Sequence, residues 1–113
     1  MKRLRAISIR QPFVEQIMRR TKRFEYRSRP TKIHGRVYIY ASLRPRPIVD
    51  WRGTGLDPQD VPLGKIVGTV EIVGCKRLRP GEYAWALQAP KRLKRPIEPV
   101  GHPQPVWFYP FGK

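Results

Sequence analysis

The chain has 113 residues, with 24 Lys or Arg against eight Asp or Glu, so its formal net charge is +16. This length is typical of one domain, and we expect residues 1–113 to form a single one. No segment approaches the roughly 20 consecutive apolar residues of a membrane helix, and no apolar segment follows the basic N-terminus as in a secretory signal. Cys75 is alone and cannot form an internal disulfide, which fits a reducing compartment. We therefore expect a cytoplasmic protein, or a nuclear one in a eukaryote.

The excess of positive charge indicates an anionic partner, because self-repulsion of this size opposes a compact fold. Nucleic acid is the commonest such partner, and the isoelectric point of about 11.1 agrees with it. A membrane surface would normally require a basic amphipathic helix or a lipidation motif, and the sequence has neither. A basic surface that is merely solvated remains the alternative.

The first 27 residues predict a strand, a helix and a second strand. Residues 3–9 alternate polar and apolar side chains, as a half-buried strand does. Residues 12–20 predict a short amphipathic helix that begins at Pro12, and basic residues at its end suit a helix C-terminus. Residues 24–27 then return to a period of two, with Glu25 and Arg27 on one face. The apolar helix face consists of Phe13, Val14, Ile17 and Met18.

The rest of the chain predicts further short strands separated by turns. Residues 36–42 predict a strand with Val37, Ile39 and Ala41 on one face and Arg36, Tyr38 and Tyr40 on the other. Residues 43–63 predict a connection with one helical turn near 48–51. A long strand follows over 64–75, with a bend or bulge at Gly68 and Gly74. Further strands are expected at 82–88, which Pro90 should end, and at 93–97 and 106–109. The pattern predicts an α+β, mainly β fold: a small barrel with one clear N-terminal helix.

Residues 16–36 contain eight basic residues and a single acid, Glu25. Two interpretations of this carboxylate remain open. It is either a structural ion pair with Lys22 or Arg27, or part of a cleft where it orients a base edge while cations hold phosphate.

The aromatic residues also have two interpretations. Tyr38 and Tyr40 share a face with Arg36, which would suit the stacking of bases, or they pack beneath the helix. We expect Trp85 in the core, whereas Trp107 either lines the cleft or closes the barrel. The two histidines and one cysteine form no zinc motif, so no metal and no cofactor is expected.

Several segments in order along the chain resemble the ASCH domain family, named for homology to activating signal cointegrator 1. The most recognisable family motif is G-x-K-x-x-E-x-R, and Lys22, Glu25 and Arg27 match its last three fixed positions. Arg20 stands where glycine is usual, which removes a flexible turn residue and predicts a different local loop. The other similar segments are residues 8–13, 35–42, 64–75, 83–87 and 105–107.

The resemblance implies a PUA-like β-barrel with a helix beside a basic cleft, and it places Lys22, Glu25 and Arg27 at that cleft. Family members include nucleic-acid binders and a few small enzymes, among them an amidohydrolase of acetylcytidine and a ribonuclease-like member. In the amidohydrolase, a lysine at the position of Lys22 is catalytic, whereas a threonine occupies the position of Glu25.

Residues and resemblance together predict a module that binds RNA, single-stranded or structured, or another single-stranded nucleic acid, with DNA as the alternative. We expect a monomer that binds neither membrane nor metal. The alternative is a small hydrolase of nucleosides or RNA, in which Lys22 and Glu25 would be the catalytic residues. The predicted nucleic-acid-binding residues are Arg10, Gln11, Lys22, Glu25, Arg27, Arg29, Lys32, Arg36, Tyr38 and Tyr40.

Overall fold

The structure is a computed structural model that describes residues 3–111. In these residues the chain forms six β-strands and one α-helix, and two short 3₁₀ helices lie in the connection after the third strand. No helix of the described part is long and apolar enough to cross a membrane. The elements are β1 (Ala6–Ile9), α1 (Phe13–Met18), β2 (Phe24–Arg27), β3 (Gly35–Ala41), the 3₁₀ helices Ile48–Trp51 and Pro58–Asp60, β4 (Lys65–Arg79), β5 (Glu82–Ile97) and β6 (Trp107–Phe108).

The six strands form one sheet in the order β2-β5-β4-β3-β1-β6. Only β1 and β3 pair in parallel, which is the pairing that a crossover connection such as α1 and β2 allows. The mainly β class with one helix is therefore confirmed. Among residues 3–111 no backbone pairing joins β2 to β6, so the hydrogen-bonded sheet is not a closed barrel. A side chain spans part of the gap, because Arg27 Nη2 in β2 donates to the Ser8 carbonyl of β1 at 2.8 Å.

The main core lies between α1 and the inner face of the sheet. As the helical spacing predicts, Val14 and Ile17 are buried, and Phe13 and Met18 pack against the same cluster from partly buried positions. The strand alternation predicted for β3 is confirmed, since its three inward side chains are buried. The sheet side of this core consists mainly of Ile7, Ile9, Val37, Ile39, Ala41, Val67, Val70, Ile72, Trp85 and Leu87.

The helix is shorter at its C-terminal end than predicted. It ends at Met18, and Arg20 has a φ of 66°, the left-handed conformation that glycine adopts most easily. The chain then turns back, and the main-chain amides of Thr21 and Lys22 donate to the Gln16 carbonyl at 2.9 and 3.1 Å. Arg20 therefore takes the glycine-like conformation at the motif's glycine position, and the missing glycine does not abolish the turn.

The β4–β5 hairpin contains the two irregularities that the sequence predicts, and two that it does not, between Thr69 and Glu71 and between Arg77 and Arg79. The register shifts next to Gly68 and next to Gly74, as expected. Pro90 was expected to end a strand, but β5 continues through it to Ile97. Thr69 pairs with Lys91 and Glu71 with Gln88, so two β5 residues, Ala89 and Pro90, lie opposite one β4 residue. A bulge residue makes no ladder hydrogen bond, and this is why proline is tolerated here.

Candidate functional site

Glu25 lies at the centre of a buried charge cluster. The alternation of β2 turns its side chain inward, where it is only 7% exposed. The Arg27 guanidinium donates from Nε to Glu25 Oε2 at 2.7 Å, and its Nη2 donates to the Ser8 carbonyl. The ion pair that the sequence left open is thus present. It ties the edge strand β2 to β1, and it leaves Glu25 little surface for a ligand.

Lys22 completes the cluster from the turn between α1 and β2. Its Nζ lies 3.8 Å from Glu25 Oε1, and it faces the rings of Phe13 and Tyr26 at 4.6 and 5.0 Å from their centroids. Burial lowers the pKa of Lys22, because an ammonium loses hydration there. Glu25 opposes this effect and Arg27 adds to it. Cation–π attraction to the two aromatic faces compensates for part of the hydration energy that the ammonium loses.

A tryptophan pair lies beside the cluster and contacts it through Arg27. Trp85 is buried, as predicted, and the Arg27 guanidinium lies 5.7 Å from its ring centroid. Trp107 stacks on Trp85 with centroids 5.9 Å apart and planes within 6°. Trp85 Nε1 also donates to the Arg29 carbonyl at 3.0 Å. Trp107 therefore packs against the core from β6, although the sheet that it covers is not a closed barrel in residues 3–111.

A cleft of about 280 Å³ opens between the end of α1 and the β4–β5 hairpin. Its apolar lining comes from Ile17, Val70 and Leu87, and its basic rim comes from the turn that follows α1. The arrangement can hold an anionic group at the rim, whereas the apolar lining is almost entirely buried, with Leu87 its most exposed member at 7%. The rim and mouth consist of Arg20, Lys22, Arg23, Gln88 and Pro90.

Four of the five residues at the rim and mouth were not among the predicted site residues. Arg20 and Arg23 belong to the basic run after the helix, so the run of charge was a signal for them. Gln88 and Pro90 reach the cleft only because β5 continues through its bulge. No local pattern in the sequence indicates that pairing.

Arg10 and Gln11, two of the predicted binding residues, anchor the connection after β3. Arg10 Nε donates to the Arg44 carbonyl at 2.9 Å. Gln11 is completely buried: its Oε1 accepts from the Glu15 amide and its Nε2 donates to the Pro62 carbonyl. The prediction that Gln11 contacts a ligand is therefore wrong, because both polar atoms of its side chain are used inside the protein.

The predicted aromatic platform on β3 is not formed. Tyr40 is 5% exposed and packs edge-to-face on Phe108 in a second, smaller core. Tyr38 packs in the same way against Phe111. The Arg36 guanidinium donates to the Thr69 hydroxyl and to the carbonyl of the β5 bulge. These residues lie neither in the cleft nor under the helix, because the C-terminal segment covers their face of the sheet.

Arg29 and Lys32 follow β2 in the loop 28–34, and both are exposed. They remain candidates for phosphate contacts at the end of the charge cluster. Within residues 3–111, no group of three His, Cys, Asp or Glu side chains is arranged to hold a metal ion.

Comparison with known proteins identifies the family of this chain. The model of the ASCH domain family matches residues 7–98 of the 113, a span that runs from β1 to the end of β5 and includes the charge cluster and the cleft. A search of the curated proteins found no match. The matched span covers most of the chain, and the chain therefore belongs to the ASCH domain family, whose fold is PUA-like.

Proposed function

We propose that this domain binds single-stranded nucleic acid, and RNA in preference to DNA, in the cleft beside α1. The observation that carries the proposal is the combination of an apolar lining with a basic rim in one cleft. The net charge of +16 supports an anionic ligand, and the PUA-like fold is often linked to RNA binding.

The cleft suits one nucleobase with its flanking phosphates. Its volume of about 280 Å³ is near the lower end of the range for small-molecule pockets. A base at the mouth would lie over Leu87, the most exposed of the apolar lining residues, and the Gln88 amide there offers both a donor and an acceptor to its edge. Arg20 and Arg23 would contact the phosphates, and these contacts supply affinity without reading the sequence.

Glu25 serves this site as a positioning residue. Its carboxylate is buried beneath Lys22 and bonded to Arg27, so its ligand-facing surface is small. It compensates the charge of both cations and holds them in place, which corresponds to the ion pair of the two interpretations that the sequence leaves open. Base selection falls instead to the groups that line the cleft.

The test is a salt titration of binding to labelled RNA and DNA oligonucleotides of the same sequence. The logarithm of affinity should fall with that of salt by about 0.7 per phosphate neutralised, and three or more contacts give a slope of roughly −2 or steeper. Lys22→Ala and Arg23→Ala should each make the slope shallower, whereas Arg52→Ala, an exposed cation outside the cleft, should not. A flat response of the wild type would remove nucleic acid as the main partner.

A second candidate function is hydrolysis of a nucleoside or of RNA, and the lowered pKa of Lys22 at the cleft favours it. A lysine with a lowered pKa is more often in the neutral amine form that can act as a nucleophile or accept a proton. Incubation with acetylcytidine and with RNA oligonucleotides, followed by separation of the products, tests this candidate. Lys22→Arg keeps the positive charge but cannot act as a neutral amine. It should retain binding and abolish any turnover, and absence of turnover in the wild type would exclude both reactions.

A further inference from the structure

Two aromatic rings stand exposed on the outer face of the edge strand β2. Phe24 is 43% exposed and Tyr26 is 55% exposed. The alternation that turns Glu25 inward turns these two rings outward, so the strand buries its charges and exposes its aromatics. The ring centroids are 6.4 Å apart and the planes differ by 31°, so the rings stand side by side along the strand.

The side chains opposite the rings on the neighbouring strand β5 are small, and neither covers a ring as a larger side chain would. Phe24 pairs with Ala86, which in turn pairs with Gly74, and Tyr26 pairs with Ala84. Ala84 pairs in turn with Lys76 of β4, so Tyr26, Ala84 and Lys76 form one row across three strands. Lys76 is an exposed cation, two strands or roughly 10 Å from Tyr26 at the usual strand spacing. The two rows therefore form a mostly apolar surface with a cation at one side.

The other side of this surface is also basic and joins the cleft. An open hollow beside the rings is lined by Phe24 and Tyr26 and also by Lys22 and Arg23. Lys22 and Arg23 line the cleft as well. Lys22 faces the Tyr26 ring at 5.0 Å. A ligand that leaves the cleft past Arg23 would thus meet the exposed rings next.

We propose that Phe24 and Tyr26 stack two successive bases of a single strand, whose phosphates contact Lys22, Arg23 and Lys76. Cations on both sides of exposed aromatic faces complement a polyanion that carries flat apolar groups. This inference rests on the proposed function and extends its binding surface from the cleft to the outer face of β2. It also explains why an edge strand exposes two large aromatic side chains, which would otherwise favour aggregation.

The test compares Phe24→Ala, Tyr26→Ala and the double variant in binding a short labelled RNA. A stacking contact of about 1–3 kcal/mol corresponds to a loss of roughly 5- to 150-fold in affinity for each ring. Tyr26→Phe should bind as the wild type does. Phe111→Ala is the matched control, because Phe111 is also 43% exposed but lies against Tyr38 on another part of the sheet. Phe24→Ala should leave the salt slope unchanged, since it removes no charge.

Binding of an oligonucleotide with abasic sites to the wild type and to the double variant completes a thermodynamic cycle, in which the rings, the bases or both are removed. The wild type should bind it about as weakly as the double variant binds the normal strand, and the double variant should not distinguish the two strands. If the wild type binds normal RNA but the double variant binds it equally well, the inference is wrong while the proposed function stands. If the double variant also changes the oligomeric state in gel filtration, the rings form a protein interface instead. No binding by the wild type overturns both.

Discussion

Replacing Arg20 by glycine should raise stability and lower affinity for nucleic acid at the same time. Arg20 has a φ of 66°, and a left-handed conformation costs a residue with a side chain about 1–2 kcal/mol. Arg20 lies at the rim of the cleft, at the position where the family motif has glycine. Strain of this kind is often kept where a side chain is needed for function.

The expected gain in stability is the relief of strain less the entropy that glycine adds to the unfolded chain. That entropy amounts to roughly 0.4–1 kcal/mol, so Arg20→Gly should stabilise by about 0.5–1 kcal/mol. For a domain of this size the melting temperature should rise by roughly 2–4 °C. Differential scanning calorimetry measures this change. Ala89→Gly should also stabilise, because Ala89 has a φ of 50°, and it changes no charge.

Binding should move in the opposite direction. Loss of one phosphate contact should make the salt slope on a single strand shallower by about 0.7. Arg19→Gly is the matched control, because Arg19 is the adjacent arginine, has a φ of −85° and does not line the cleft. It should lower the melting temperature, since glycine there relieves no strain, and it should change the slope less. A lower melting temperature for Arg20→Gly, or equal slopes for the two variants, would refute this reasoning.

Three further predictions concern the core and the charge cluster. Glu25→Gln should destabilise by about 3 kcal/mol, because it leaves two cations without their buried carboxylate, whereas Glu98→Gln, at a side chain 79% exposed, should have little effect. A changed base preference at an unchanged melting temperature would instead assign Glu25 to recognition. Ile39→Ala, at a fully buried side chain, should cost about 2–5 kcal/mol in chemical denaturation, and an effect no larger than that of the exposed Leu43→Ala would contradict the core assignment. Burial raises the pKa of Tyr40 above its ordinary value of 10.0. The neutral tyrosine therefore contributes to the stability of the fold below pH 10.0, and this contribution is lost as the pH rises through the pKa that Tyr40 has in the folded protein. Tyr40→Phe should lose less stability at high pH, and identical pH profiles would exclude this linkage.

Periodicity in the sequence predicted the elements and the inner face of the main core. The period of two over residues 36–42 correctly placed Val37 and Ile39 inside, and helical spacing correctly placed Val14 and Ile17 against them. These patterns are local, because each depends only on the repeat of one strand or helix. The motif that contains Lys22 and Glu25 was likewise evident, since the residues lie three apart in the chain.

Which strands pair with each other, and which segments cover a face of the sheet, are not local properties of the sequence. The predictions that depended on these properties were wrong. Pro90 was expected to end a strand, but its position opposite β4 made it part of a bulge. Tyr40 was expected to face solvent or the helix, but β6 supplies Phe108 to cover it. Gln11 was expected at a ligand, but its partners come from Glu15 and from Pro62 in the connection after β3.

The sequence by itself determined the mainly β class, the single helix, the family and the strongly basic character. Each of these follows from composition, from short-range periodicity or from the order of motifs. Only the tertiary structure decided which cations surround one cleft, that Glu25 is buried under Lys22 and Arg27, and that Phe24 and Tyr26 face outward. The physical reason is that strand alternation defines two faces but not which one is covered. That choice depends on helix α1 and on the strands that β2 meets after the chain has folded.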